Sequence, residues 1–205
     1  MWVTLIWATP DAENLIAYMA RVSNPENQNN PETAPKLLKY LMDNKHWSPF
    51  EMVNVCMEIE TTRDIARQIL RHRSFSFQEF SQRYAISSRY ETSEARLQDE
   101  KNRQNSIPVQ DRELMKVWQE LQTDVLKVSK KSYEAALGMG IAKEVARKVL
   151  PEGMTTSRMY MNGTLRSWMH YVDIRCDKAT QKEHREIAEE CKRVLTNLFP
   201  SLFKE

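Results

Sequence analysis

The chain has 205 residues, 41% hydrophobic and 28% charged, with a formal net charge of +2. These values describe an ordinary globular chain with enough apolar material for a sizeable core, and they exclude the strong overall positive field of a nucleic-acid-coating protein. No apolar run approaches the roughly 18–20 residues of a membrane span and no leader pattern opens the chain, so the expectation is a cytoplasmic protein, or a host-cytoplasmic one if viral.

Val3 to Ala8 reads as a short strand, and Asp11 as the cap of a helix through Arg21 with Leu15, Ile16, Met19 and Ala20 inward. A loop rich in Asn and Pro leads to a second helix over Lys36 to Asn44, which His46-Trp47-Ser48-Pro49-Phe50-Glu51 ends. From Met52 the side chains alternate: Val53, Val55, Met57 and Ile59 face one way, Asn54, Cys56, Glu58 and Glu60 the other. That pattern predicts a half-buried strand. Thr61 or Thr62 then caps a helix anchored by Ile65, Ala66, Ile69 and Leu70, which runs into Arg71-His72-Arg73 and a Ser/Phe loop.

Residues 91–108 are polar and read as a surface excursion. Asp111 to Leu137 restores helical periodicity, a helix over Ile141 to Leu150 carries Arg147, and Thr155 to Asn162 forms a strand of weaker alternation. Thr164 to Arg175 is helical, with Arg166, His170 and Asp173 off its apolar stripe, and the last helix covers Ala179 to Leu198. The expectation is an α+β protein, one domain over 1–205, with a mixed sheet packed against helices and long helices at the C-terminal end.

Positive charge concentrates between Arg63 and Arg89, where six arginines stand against only Asp64 and Glu79. Guanidinium groups are costly to bury unpaired, and their planar fork suits phosphate or carboxylate. A solvated basic face is the ordinary reading of such a run. A nucleic-acid module, with Phe75, Phe77 and Phe80 stacking on bases, is a second. A strand feeding a helix that ends in Arg-His-Arg, followed by Glu79, Ser81 and Arg83, favours a third, a nucleotide pocket. The four glycines form no phosphate loop and no G-x-G-x-x-G, the histidines have no metal-ligand spacing, and Cys56, Cys176 and Cys191 form no C-x-x-C. No metal is expected, and any nucleotide must be held by side chains.

Arg71-His72-Arg73, seven residues, then Ser81 resembles the R-H-R-x7-S signature of flavin-dependent thymidylate synthases. The likeness extends to His46-x-Ser48-Pro49-x-Glu51, to Ala146-Arg147-x-Val149-Leu150-Pro151, and to Arg166-x-Trp168-x-His170 through Arg175, Gln181 and Glu183. The resemblance implies conversion of dUMP to dTMP, with methylenetetrahydrofolate as carbon donor and NADPH as reductant through FAD, in a homotetramer whose subunits share active sites. Ser48, Arg71, His72, Arg73, Glu79, Thr164, Arg166 and His170 would hold FAD. Gln68, Arg71, Glu79, Ser81, Arg83 and Arg147 would hold dUMP, and Arg175 would stabilise charge on the pyrimidine. Ser81 is read as a binding group rather than a nucleophile, since only His72 could serve it as base. Gln78, Thr164, Ala179 and His184 depart from the family's usual pattern.

Overall fold

A computed structural model describes residues 1–203. Its centre is a four-stranded sheet in the order β1-β2-β6-β3, built from β1 (Trp2–Ala8), β2 (Asn54–Thr62), β3 (Phe75–Glu79) and β6 (Thr156–Thr164). Each neighbouring pair is antiparallel. β6 alternates cleanly, with Ser157, Met159, Met161 and Gly163 buried, a stronger pattern than its sequence suggests. β2 departs from the half-buried expectation. Val55, Met57 and Ile59 enter the core, but Cys56 and Glu60 on the opposite face are buried too. Arg89 pairs with Glu60 there, and a bulge between Leu5 and Trp7 sets Trp7 opposite Cys56.

Helices α1 (Ala12–Ala20), α2 (Ala34–Asp43), α3 (Arg63–Ile69), α6 (Leu165–Arg175) and α7 (Lys182–Leu198) enclose the inner face. Ile16, Leu38, Ile65, Ile69, Trp168, Ile187 and Leu195 join Met57, Ile59, Met159 and Met161 in one core. α1 starts differently from expectation: Asp11 sits at φ 49°, and its carboxylate accepts from the Asn14 side chain rather than from the helix backbone. On its inner side Ala12, Ile16 and Ala17 are buried, so the stripe is shifted by a residue from the one expected. α6 is capped as its sequence invites, by Thr164 Oγ1 accepting from the Ser167 N–H at 3.3 Å.

Three segments differ further. Phe75–Glu79 is not a loop but the edge strand β3, with Phe75 buried against Gly163; a methyl on Gly163 would lie 2.7 Å from Phe75 Cε1 and closer still to Cδ1. The polar excursion contains a small hairpin, β4 (Arg96–Gln98) with β5 (Ser106–Pro108). The helix expected over Ile141 to Leu150 is a single turn, α5 (Lys143–Ala146), followed by a 3-10 turn over Arg147–Val149. Between hairpin and turn runs α4 (Arg112–Gly138), capped by Asp111, which accepts from the Glu113 and Leu114 N–H groups. Its stripe of Leu114, Val117, Trp118, Leu121, Val125 and Val128 lies exposed. Among the described residues no helix is long and apolar enough to cross a membrane.

Candidate active site

α3 and α6 bring two distant parts of the sequence together. α3 ends at Ile69 with Leu70 in the C-cap position, and the turn through Arg71, His72 and Arg73 enters β3 at buried Phe75. Against this turn lies the last residue of α6. Arg175 Nε donates to His72 Nε2 at 2.9 Å. Burial first, then the positive charges of Arg175, His170 and Arg71, push the His72 imidazole down to about 4. His72 therefore stays neutral near pH 7 and accepts from Arg175. No other hydrogen bond among the described residues engages the guanidinium, so its two Nη groups remain available.

Pairing narrows the basic run. Arg63 lies 3.5 Å from Glu79, Arg83 lies 3.1 Å from Glu144, and Arg67 and Arg89 pair with Glu152 and Glu60. Arg71 and Arg73 are exposed and have no carboxylate partner among the described residues. They are the free cations of the motif. The base-stacking alternative loses two of its three surfaces: Phe75 is in the core and Phe77 packs against it, while Phe80 is half-buried.

Of the residues expected around a flavin, Arg166 and His170 line one groove, Thr164 meets Glu51 beside it, and Glu79 lies apart on Ser157 and Arg63. Ser48, itself exposed, opens a 3-10 turn that ends at Glu51 and buries Pro49 and Phe50. Glu51 accepts from Thr164 Oγ1 at 2.7 Å and from Arg166 Nη1 at 2.8 Å, contacts that hold its carboxyl below the ordinary carboxylate range. Glu51, Ser74, Arg166, Ser167 and His170 line one side of a groove of about 970 Å³, with Trp47 at its apolar wall. His170 is exposed. The groove thus joins hydroxyl and imidazole donors and an indole to two cations, Arg166 and Lys192, and three carboxylates, Glu51, Asp173 and Asp177, with Arg166 already paired to Glu51.

The residues expected around dUMP fall into separate groups. Ser157 Oγ donates to Glu79 Oε1 at 2.6 Å, so this carboxylate is already engaged inside the chain. Ser81 Oγ accepts from the Arg83 N–H, and no histidine contacts it among the described residues. Arg83 and Arg147 meet around Glu144: Arg83 Nε donates to its carboxylate, and Arg147 Nε to its backbone carbonyl at 3.3 Å. Gln68 turns toward α7, where Nε2 donates to Gln181 Oε1 at 2.8 Å. No hydrogen bond among the described residues joins the Arg83–Arg147 pair to Arg175. Sequence reasoning gave no part to Glu144, which reads as one charge among many on a short helix, nor to Tyr171, whose hydroxyl is hidden in an apolar pattern.

The chain matches the family described as "Thymidylate synthase complementing protein" over residues 4–201. It is 54% identical to the flavin-dependent thymidylate synthase of Synechocystis sp., covering 93% of this chain and 87% of that protein. It is 49% identical to a probable flavin-dependent thymidylate synthase of Paramecium bursaria Chlorella virus 1, over 94% and 89%. A UMP/dUMP methylase from Streptomyces cacaoi, crystallised with 5-Br dUMP, superposes with a TM-score of 0.84 at 25% identity, covering 98% of this chain and 92% of that one. The chain belongs to the flavin-dependent thymidylate synthase family. It is a methyltransferase of dTMP biosynthesis that converts dUMP to dTMP with a flavin.

Proposed function

We propose that the enzyme takes the methylene carbon from methylenetetrahydrofolate and the hydride from NADPH, working in the cytoplasm as a homotetramer, with residues 1–205 as one domain. The Arg175–His72 contact carries this reading, because it joins the Arg-His-Arg turn, with its unpaired Arg71 and Arg73, to a third arginine whose two Nη groups make no hydrogen bond among the described residues. Arg71 and Arg73, with Arg166 and His170 of the groove and with Ser48 and Thr164, would hold FAD; bound there, reduced FAD would supply the hydride that completes the methyl group. Arg83 and Arg147 would grip the dUMP phosphate, with Ser81 and Gln68 as hydrogen-bonding partners. Glu79 would orient either ligand once released from Ser157.

Arg175 would face the pyrimidine. A fixed guanidinium, held by neutral His72, stabilises negative charge on the uracil ring and raises the nucleophilicity of C5 without a covalent enzyme adduct. The separation of Arg83 and Arg147 from Arg175, and the exposed apolar stripe of α4, both suit a site completed by a neighbouring copy. Purified protein should show a flavin absorbance band and form dTMP from dUMP, methylenetetrahydrofolate and NADPH at the mass of a tetramer. A colourless protein that takes up no FAD and forms no dTMP would refute this reading.

A further inference from the structure

A glutamine amide presents a donor at one end and an acceptor at the other, so its partners decide which end a ligand meets. At Gln68 the partners form a chain whose polarity is fixed from its carboxylate end. Glu183, ion-paired with Arg96, is an acceptor, and Gln181 Nε2 donates to its Oε2 at 3.1 Å. Gln181 Oε1 thereby faces Gln68 and accepts from Gln68 Nε2 at 2.8 Å. Gln68 Oε1 in turn lies 3.4 Å from His184 Nδ1, and His184 Nε2 lies 3.1 Å from Tyr171 Oη. Both His184 and Tyr171 are fully buried.

Only one arrangement of protons satisfies every member. The Tyr171 O–H donates to Nε2, and the Nδ1–H of His184 donates to Gln68. Reversing any amide would set two acceptors or two donors face to face. Burial, with Arg175 and His72 nearby, pushes His184 down to about 3, so it remains the neutral tautomer this chain requires. The Tyr171 phenol is pushed well up, chiefly by burial, and remains a donor.

We propose that His184, seated on Tyr171, is a positioning residue for the substrate: it fixes the Gln68 amide so that its second N–H is presented to an acceptor oxygen of dUMP. This rests on the reading of Gln68 as a dUMP contact. Tyr171 also meets His72 edge-on at 5.0 Å, so one buried residue braces the supports of both Gln68 and Arg175.

The test is dUMP affinity and kinetics on the FAD-loaded enzyme. His184→Leu should raise the dUMP Kd and KM about tenfold, equivalent to about 1.4 kcal/mol. FAD binding should not change. His184→Asn, whose Nδ2–H can replace Nδ1–H, should recover most of the affinity, which a merely structural role would not predict. In a Gln68→Ala background His184→Leu should add less than about a twofold loss, as expected when one residue acts through the other. Should His184→Leu lack a cooperative melt, the pair His184→Leu with Tyr171→Phe removes both buried polar partners and reads the same affinity. Unchanged dUMP affinity, or an undiminished effect without Gln68, overturns the proposal. Failure of the wild-type enzyme to bind dUMP would instead overturn the site reading on which it stands.

Discussion

Trp168 on α6 and Trp118 on α4 each donate an indole N–H to a backbone carbonyl at 3.0 Å, of Val55 and of Ser93. Trp168 is fully buried, whereas Trp118 is 37% exposed amid a stripe of exposed Leu and Val. Identical local chemistry and the same helical spacing thus meet different fates. α6 has the sheet beneath it, while most of α4 has nothing from its own chain to cover its stripe. Stability within one subunit should therefore depend on the α6 region, and assembly on α4.

The largest effect should come from Trp168→Ala, which empties a large core position and should cost about 3–5 kcal/mol in urea unfolding. A much smaller loss would mean that the α6 region is not the stability centre. Arg175→Ala should lower turnover about 10²–10³-fold while FAD is retained, a cost of about 2.7–4 kcal/mol if its role matches that of an electrostatic donor. Comparable turnover would end that assignment. Arg83→Ala, at the periphery, should weaken dUMP binding by about 1.5–3 kcal/mol in titrations, with FAD affinity unchanged.

The buried histidines of the packed region make a pH prediction. His72 and His184 titrate near 6.5 when unfolded, and in the fold they are pushed down to about 4 and about 3. Below pH 6.5 the unfolded chain binds protons that the folded one refuses, so stability should fall as pH drops from 6.5 toward 3. Chemical unfolding across that range should show a shallower fall for His184→Leu than for wild type. The smallest effect on the subunit itself should belong to Leu121→Asp in the α4 stripe, within about 0.5 kcal/mol for the separated chain. Its consequence should be a lower assembled mass in light scattering; an unchanged mass would sever α4 from assembly.

Much of the fold was legible because its cause is local. The existence of β1, β2 and β6 and the apolar stripes of α3, α6 and α7 follow from periodicity, whereas the caps expected at Asp11 and at Thr61 or Thr62 make no side-chain cap bond. What was hidden depends on partners far along the chain. Ser76 and Gln78 made β3 read as a loop because its outer face is exposed; only β6 makes it a strand. Four of the six clustered arginines are neutralised by Glu60, Glu79, Glu144 and Glu152, three of which lie outside the basic run. The Arg71-His72-Arg73 motif and Arg175 were nameable from their pattern. The 2.9 Å contact between them, and the relay behind Gln68, required the packing of α3, α6 and α7.

Gly163 gives the sheet a mechanical weak point. Phe75 packs one side of its ring against the bare backbone there, at the start of β3 just after the Arg71–Arg73 turn. An added methyl would have to lift the ring and drag the turn with it, so Gly163→Ala would behave as a temperature-conditional allele: a lesion in a strand, experienced as a loosened grip on ligand several residues away.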